Sequence, residues 1–147
     1  TDRRFYYNEE MNRDFTQKWN AMVRDDDVVI HLGDFGRGDD IKEIFDSLKG
    51  HKIIVKGNHD YSHARLKEMG FIKTFSKLTI GRYVFTHKPQ ANLKEGQFNY
   101  HGHLHHQNCH RFMPQHLNVC VEQTDGYPIR LHQPEIIEFA KRVRDNE

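Results

Sequence analysis

The consecutive residues Gly57-Asn58-His59-Asp60 offer an amide oxygen, an imidazole and a carboxylate side by side. Gly102-His103-Leu104-His105 offers two imidazoles two residues apart. Gly33-Asp34 stands upstream, and Thr86-His87 lies between the two. Asp34, Asn58, His87, His103 and His105 are thus a set of oxygen and nitrogen donors suited to borderline divalent metals such as Mn, Fe, Zn or Ni. Each segment alone is a weak signal. All four in this order, each just past an apparent strand, are hard to obtain by chance. The histidines are also clustered: of 12 in the chain, His101, His103, His105, His106 and His110 fall within ten residues, and clustering, more than the total, suggests metal.

Other residues read more plainly. His101 and His106 flank the Gly-His-x-His segment; either could support a ligand from behind or simply be solvated, and the solvated reading is preferred. Arg37 and Lys88 sit beside donor residues, and Arg82 is a third cation that could meet phosphate. Charged loop residues are usually just hydrated. His63, His110, His116 and His132 have no partner that the sequence names. Cys120, in Asn118-Val119-Cys120-Val121, reads as a small core residue, and Cys109 as a bystander in a polar loop. Two cysteines make no disulfide framework.

The elements that must position these side chains follow from periodicity. Met11, Phe15, Trp19 and Met22 recur at helical spacing and predict a helix over about Asn8 to Val23, its stripe packed in the core. Val28 to Leu32 is short, apolar and β-branched, so it reads as a buried strand containing a satisfied core histidine, His31. Gly33-Asp34-Phe35-Gly36-Arg37-Gly38 is its exit loop, and Asp39 or Asp40 can cap a helix from about Asp40 to Lys49 with Ile41, Ile44, Phe45 and Leu48 inward. Lys52 to Val55 is a second buried strand. Ser62 opens a short helix that runs through Met69 and closes at Gly70. This rhythm indicates βαβ units with a parallel sheet, whose ligands collect at the carboxyl ends of the strands. Phe75 to Ile80 and Tyr83 to Thr86 then predict a hairpin around Gly81-Arg82. Phe98 to His101 and Leu117 to Val121 are further strands. Pro134 begins a last helix through about Arg144, with Ile136, Ile137, Ala140 and Val143 inward.

A chain of 147 residues with no linker, repeat or low-complexity tract reads as one domain, residues 1–147. Net charge is +1 with 29% charged residues, which gives no electrostatic case for a nucleic-acid or anionic-membrane surface. Nucleic acid is not expected as a stable partner. No apolar run approaches the roughly 20 residues of a membrane span and no signal peptide is visible, so a cytoplasmic protein is expected.

Gly-Asp, Gly-Asn-His-Asp, an isolated His and Gly-His-x-His, in that order over about Asp14 to Glu122, resemble the calcineurin-like metallophosphoesterases, especially the small bacterial and phage members. The text around the motifs fits as well, notably Asp26-Asp27-Val28-Val29-Ile30-His31-Leu32-Gly33-Asp34-Phe35. The resemblance implies a two-sheet α/β sandwich flanked by helices, a four-layer fold. It also implies a hydrolase that cleaves a phosphodiester or phosphomonoester with a metal-bridging hydroxide. By that resemblance Asp34 bridges two divalent ions. Asn58, His87 and His103 complete the shell of one ion, and His105 ligates the other. His59 is a non-ligand catalytic group, and Asp60 orients it. Small members of the family often associate, which allows a homo-oligomer. One departure stands out: no Asp-x-His precedes Asp34. The chain is therefore expected to be N-terminally incomplete and to lack the first strand. The alternative is a non-catalytic metal- or phosphate-binding module derived from the same fold.

Overall fold

The computed structural model describes residues 9–36, 38–57, 59–102, 116–118 and 128–146. Two sheets carry them. The first is parallel, with strand order β1 (Val28–His31), β2 (His51–Val55), β3 (Lys73–Phe75). The second has the order β4 (Leu78–Ile80), β5 (Tyr83–Thr86), β6 (Phe98–His101), β7 (His116–Asn118). There β4 and β5 form an antiparallel hairpin, and β5, β6 and β7 run parallel. Helices α1 (Glu9–Met22), α2 (Ile41–Ser47), α3 (His63–Met69) and α4 (Pro134–Asp145) complete the order. The fold is the α/β sandwich expected from the sequence.

Alternation along β2 explains the layering. Ile54 belongs to a cluster with Trp19, Phe45, Leu66, Met69 and Phe71, so α1, α2 and α3 cover one face of the first sheet. Val55 points the other way, into a second cluster with Leu78, Phe85 and Tyr100 between the sheets. Both residues are fully buried, and each such side chain contributes about 1.5–3 kcal/mol by leaving water. The strand that carries Gly57 is therefore packed on both faces up to the point where its loop begins. Local signals hold at α3: the Ser62 hydroxyl accepts from Arg65 N at 3.3 Å, and Gly70 ends the helix with φ 132°. At α2, Asp40 occupies the N-cap position but makes no side-chain capping bond.

Several expectations change. The stretch Phe75 to Ile80 is not one strand: Lys73–Phe75 joins the first sheet and Leu78–Ile80 opens the second. Ser76-Lys77 is the crossing point. β1 is an edge strand among the described residues, and all four of its residues are only half-buried, whereas β2 in the sheet's centre is almost fully covered. On α1, Met22 is 39% exposed and Val23 takes its inward place beside Trp19. The side chain of Met11 lies outside the described residues. On α4, Ile136 is buried but Ile137 faces outward, and Phe139 packs in its stead. This helix touches β1 and β4, one edge strand of each sheet among the described residues, and adds Ile136 to the core between them. Its segment is tied to the α1–β1 turn by Arg130, which donates to Met22 O at 3.0 Å, and by Arg144, which donates to Asp26 O at 3.4 Å. Among the described residues no helix is long and apolar enough to cross a membrane.

Candidate metal centre

Both sheets deliver their strand ends to one place. Asp34 follows β1, Gly57 follows β2, His87 follows β5 and Gly102 follows β6. The loops interlock through the backbone. Gly102 N donates to His87 O at 3.0 Å. Nδ1 of His87 lies 2.8 Å from Leu32 O. A carbonyl only accepts, so Nδ1 carries the proton and donates. That leaves Nε2 as the functional nitrogen, and it lies 3.3 Å from Asp34 Oδ2.

Two glycines make this approach possible. A Cβ on Gly57 would sit 2.6 Å from Asp34 Oδ1 and 2.9 Å from His87 Cε1. A Cβ on Gly33, at φ 98°, would sit 2.5 Å from His87 Nδ1 and 2.8 Å from Gly57 N. Gly33→Ala therefore combines a left-handed backbone with a collision on both sides. It should cost roughly 2–4 kcal/mol of stability, measured by urea denaturation. An unchanged unfolding midpoint would show that the loops have slack.

Asp34 is itself in the left-handed region, φ 56°, and is the one non-glycine residue there among the described residues. Asp tolerates that conformation better than most residues, and such outliers gather at functional sites. Asp60 is what holds it. This carboxylate is 2% exposed. Its Oδ2 accepts from Asp34 N at 2.7 Å and Gly57 N at 2.8 Å. Its Oδ1 accepts from Phe35 N at 2.7 Å and, more weakly, Gly36 N at 3.4 Å. A single charge buried among four N–H donors stitches the β1 loop to the β2 loop. Adjacency to His59 in the sequence did not suggest this role. His59 is exposed at the mouth of the site, and its backbone N–H donates to Asp34 Oδ1 at 3.3 Å.

The electrostatics follow from the geometry. Burial pushes the Asp34 carboxyl up, but the His87 hydrogen bond and charge, helped by His59, more than offset it and lower the pKa to about 2. Burial pushes His87 down, and the bonds to Asp34 and Leu32 O reverse this, so its pKa is raised. Asp34 is thus an anion at neutral pH, aimed at a buried imidazole.

The pair fits a divalent ion. Two ligand atoms about 2.1 Å from one ion at a near-tetrahedral angle stand roughly 3.4 Å apart, close to the 3.3 Å between Asp34 Oδ2 and His87 Nε2. The Nδ1 bond to a backbone carbonyl is the usual partner that fixes a ligating histidine. Asn58, His103 and His105 lie outside the described residues, as does Arg37. Among the described residues no three His, Cys, Asp or Glu side chains gather as a metal-holding group.

The structure also settles some of the weaker candidates. His101 is not solvated: it is fully buried, with Nδ1 3.0 Å from Gly102 O. His63 has partners after all, Thr74 Oγ1 at 2.8 Å and Ser76 Oγ at 3.3 Å. His31 accepts from Gly33 N at 3.1 Å and packs edge-on against Phe35, a satisfied but only half-buried histidine. Arg82 precedes β5 while His87 follows it. The strand's length, about 3.3 Å per residue, keeps Arg82 away from the centre, where it bonds Tyr83 OH instead.

The fold is thus an α/β sandwich with a carboxylate–imidazole pair where the strand ends of both sheets converge. The model of the calcineurin-like phosphoesterases matches residues 3–138. The chain belongs to that family, and with it come a metallophosphoesterase-type function and divalent-metal binding. It is 30% identical over 150 residues to an uncharacterized protein of Methanocaldococcus jannaschii, covering 92% of this chain and 80% of that one. In three dimensions it is similar to the crystal structure of a protein of unknown function from Aquifex aeolicus, with TM-score 0.64 and 21% identity over 86% of this chain and 84% of the other. That likeness concerns the fold alone.

Proposed function

We propose that the chain is a metal-dependent phosphoesterase that hydrolyses a phosphodiester or phosphomonoester. The observation that carries this reading is the Asp34–His87 pair, 3.3 Å apart where the strand ends of both sheets meet, with the imidazole already turned by Leu32 O. Asp34 would bridge two divalent ions. His87, with Asn58 and His103, would hold one of them, and His105 would contribute to the other. Bound there, the ions supply a nucleophile at neutral pH and neutralise charge on the phosphoryl oxygens. The remaining work belongs to the protein. Asp60 keeps Asp34 in its left-handed turn through the Asp34 and Gly57 N–H groups. His59, whose backbone N–H donates to Asp34 and whose side chain is exposed, would donate to a phosphoryl oxygen or protonate the leaving group.

The test is a screen of generic phosphate mono- and diesters with the full chain and added Mn, Fe, Zn or Ni. Hydrolysis should depend on added metal and disappear with a chelator. Tight metal binding without turnover of any ester would leave a binding module in place of an enzyme. No metal binding at all would overturn the site.

A further inference from the structure

We infer that Asn99 is a positioning residue for the metal centre, acting on His87 through Thr86. The inference rests on His87 being a ligand. Asn99 lies in the middle of β6, opposite Val84 of β5, and is fully buried. Its neighbour Tyr100 packs between the sheets, so Asn99 projects from the other face. A buried amide needs partners, and an apolar residue of similar volume would fill the space without them. The partners therefore indicate what the amide is for. Its Nδ2 donates to Val84 O and Thr86 Oγ1, both at 2.9 Å, and lies 3.3 Å from Tyr100 O. Its Oδ1 accepts from Gln90 N at 3.0 Å. These partners settle the amide's orientation, because a backbone N–H can only donate and a carbonyl can only accept. Thr86 Oγ1 passes the chain on by donating to Lys88 O.

The bonds Gln90 to Asn99, Asn99 to Thr86 and Thr86 to Lys88 close a loop around residues 86–90, and His87 is inside it. The sheet ladder alone holds β5 only as far as Thr86. Beyond that point one backbone bond, from Gly102 N to His87 O, continues the ladder, and this relay holds the residues that follow. The backbone of His87 is then fixed from one side by the relay and from the other by Gly102 N, and the ring turns on Leu32 O. Without the relay, His87 would keep its chemistry but lose its fixed distance from Asp34.

Metal affinity decides the matter, measured by titrating Mn and Zn into the full chain. Asn99→Asp keeps the shape and removes the donor; Thr86→Val keeps the shape and removes the hydroxyl. Both should weaken binding about 10–100-fold, the usual effect of losing a residue that orients a ligand. Thr86→Ser keeps the hydroxyl and loses a buried methyl. It should melt lower than the parent yet bind metal as tightly. If Asn99→Asp does not fold, the Thr86 pair still decides. Equal affinity in Thr86→Val and the parent overturns the inference, as does affinity that tracks melting temperature across the set. A parent that binds no metal refutes the proposed function instead. The inference is then decided by NMR exchange of the His87 Nδ1 proton, protected in the parent and in Thr86→Ser and lost in Thr86→Val. Protection unchanged in Thr86→Val overturns it.

Discussion

Asp34→Asn should nearly abolish metal binding while leaving the fold in place. Asn is close to isosteric but neutral, with one oxygen able to ligate. The buried imidazole of His87 would then face an amide in place of a charge. Losing the charged ligand should lower metal affinity by roughly two to three orders of magnitude, about 3–4 kcal/mol. If Asp34 bridges two ions, both are lost together, whereas His105→Ala should weaken only one. The fold should survive for two reasons visible at the site. The bond from Asp34 to Asp60 comes from the backbone N–H and does not depend on the side chain. Asn is also as much at home at φ 56° as Asp is. Circular dichroism of the apo protein should match the parent, and the rise in melting temperature with metal should vanish, because metal stabilises only by binding the native state. If the variant keeps the parent's metal affinity and hydrolysis rate, the dinuclear phosphoesterase reading must be abandoned.

His59→Ala should have the opposite signature, with metal retained and turnover lost. The side chain is exposed, and the contact that links this residue to Asp34 is its backbone N–H, which alanine keeps. Metal content measured by elemental analysis should therefore be unchanged. The rate should fall by roughly 10²–10⁴-fold, the usual range for a positioned proton donor. Loss of metal with turnover per metal preserved would make His59 a ligand and refute its catalytic role.

Legibility of the sequence ended at different points for different features. Short-range chemistry was readable. Ser62 and Gly70 bound α3 as their side chains dictate, and the hairpin turns at Gly81, φ 57°. The succession of strands and donor residues put Asp34, His59 and His87 past strand ends in the right order. These are consequences of local backbone preference and of alternation over a few residues. Family membership was readable for the same reason, since its motifs are contiguous.

What alternation cannot say is which face of a strand is covered, or which sheet a strand joins. Lys73–Phe75 and Leu78–Ile80 lie two residues apart yet serve different sheets, a choice made by packing against β2 on one side and β5 on the other. Polar residues at alternate positions of Phe98-Asn99-Tyr100-His101 look solvated in the sequence, yet Asn99 and His101 are fully buried. Asp60 looks like a partner for the histidine beside it, and nothing local announces that its oxygens also reach N–H groups more than twenty residues away. The sequence by itself offered the candidate donors, and it placed Asp34 and His87 at the ends of their strands. Tertiary structure alone decided which buried polar groups hold those donors 3.3 Å apart, because a buried carboxylate or amide must take its partners from whatever backbone the fold brings within reach.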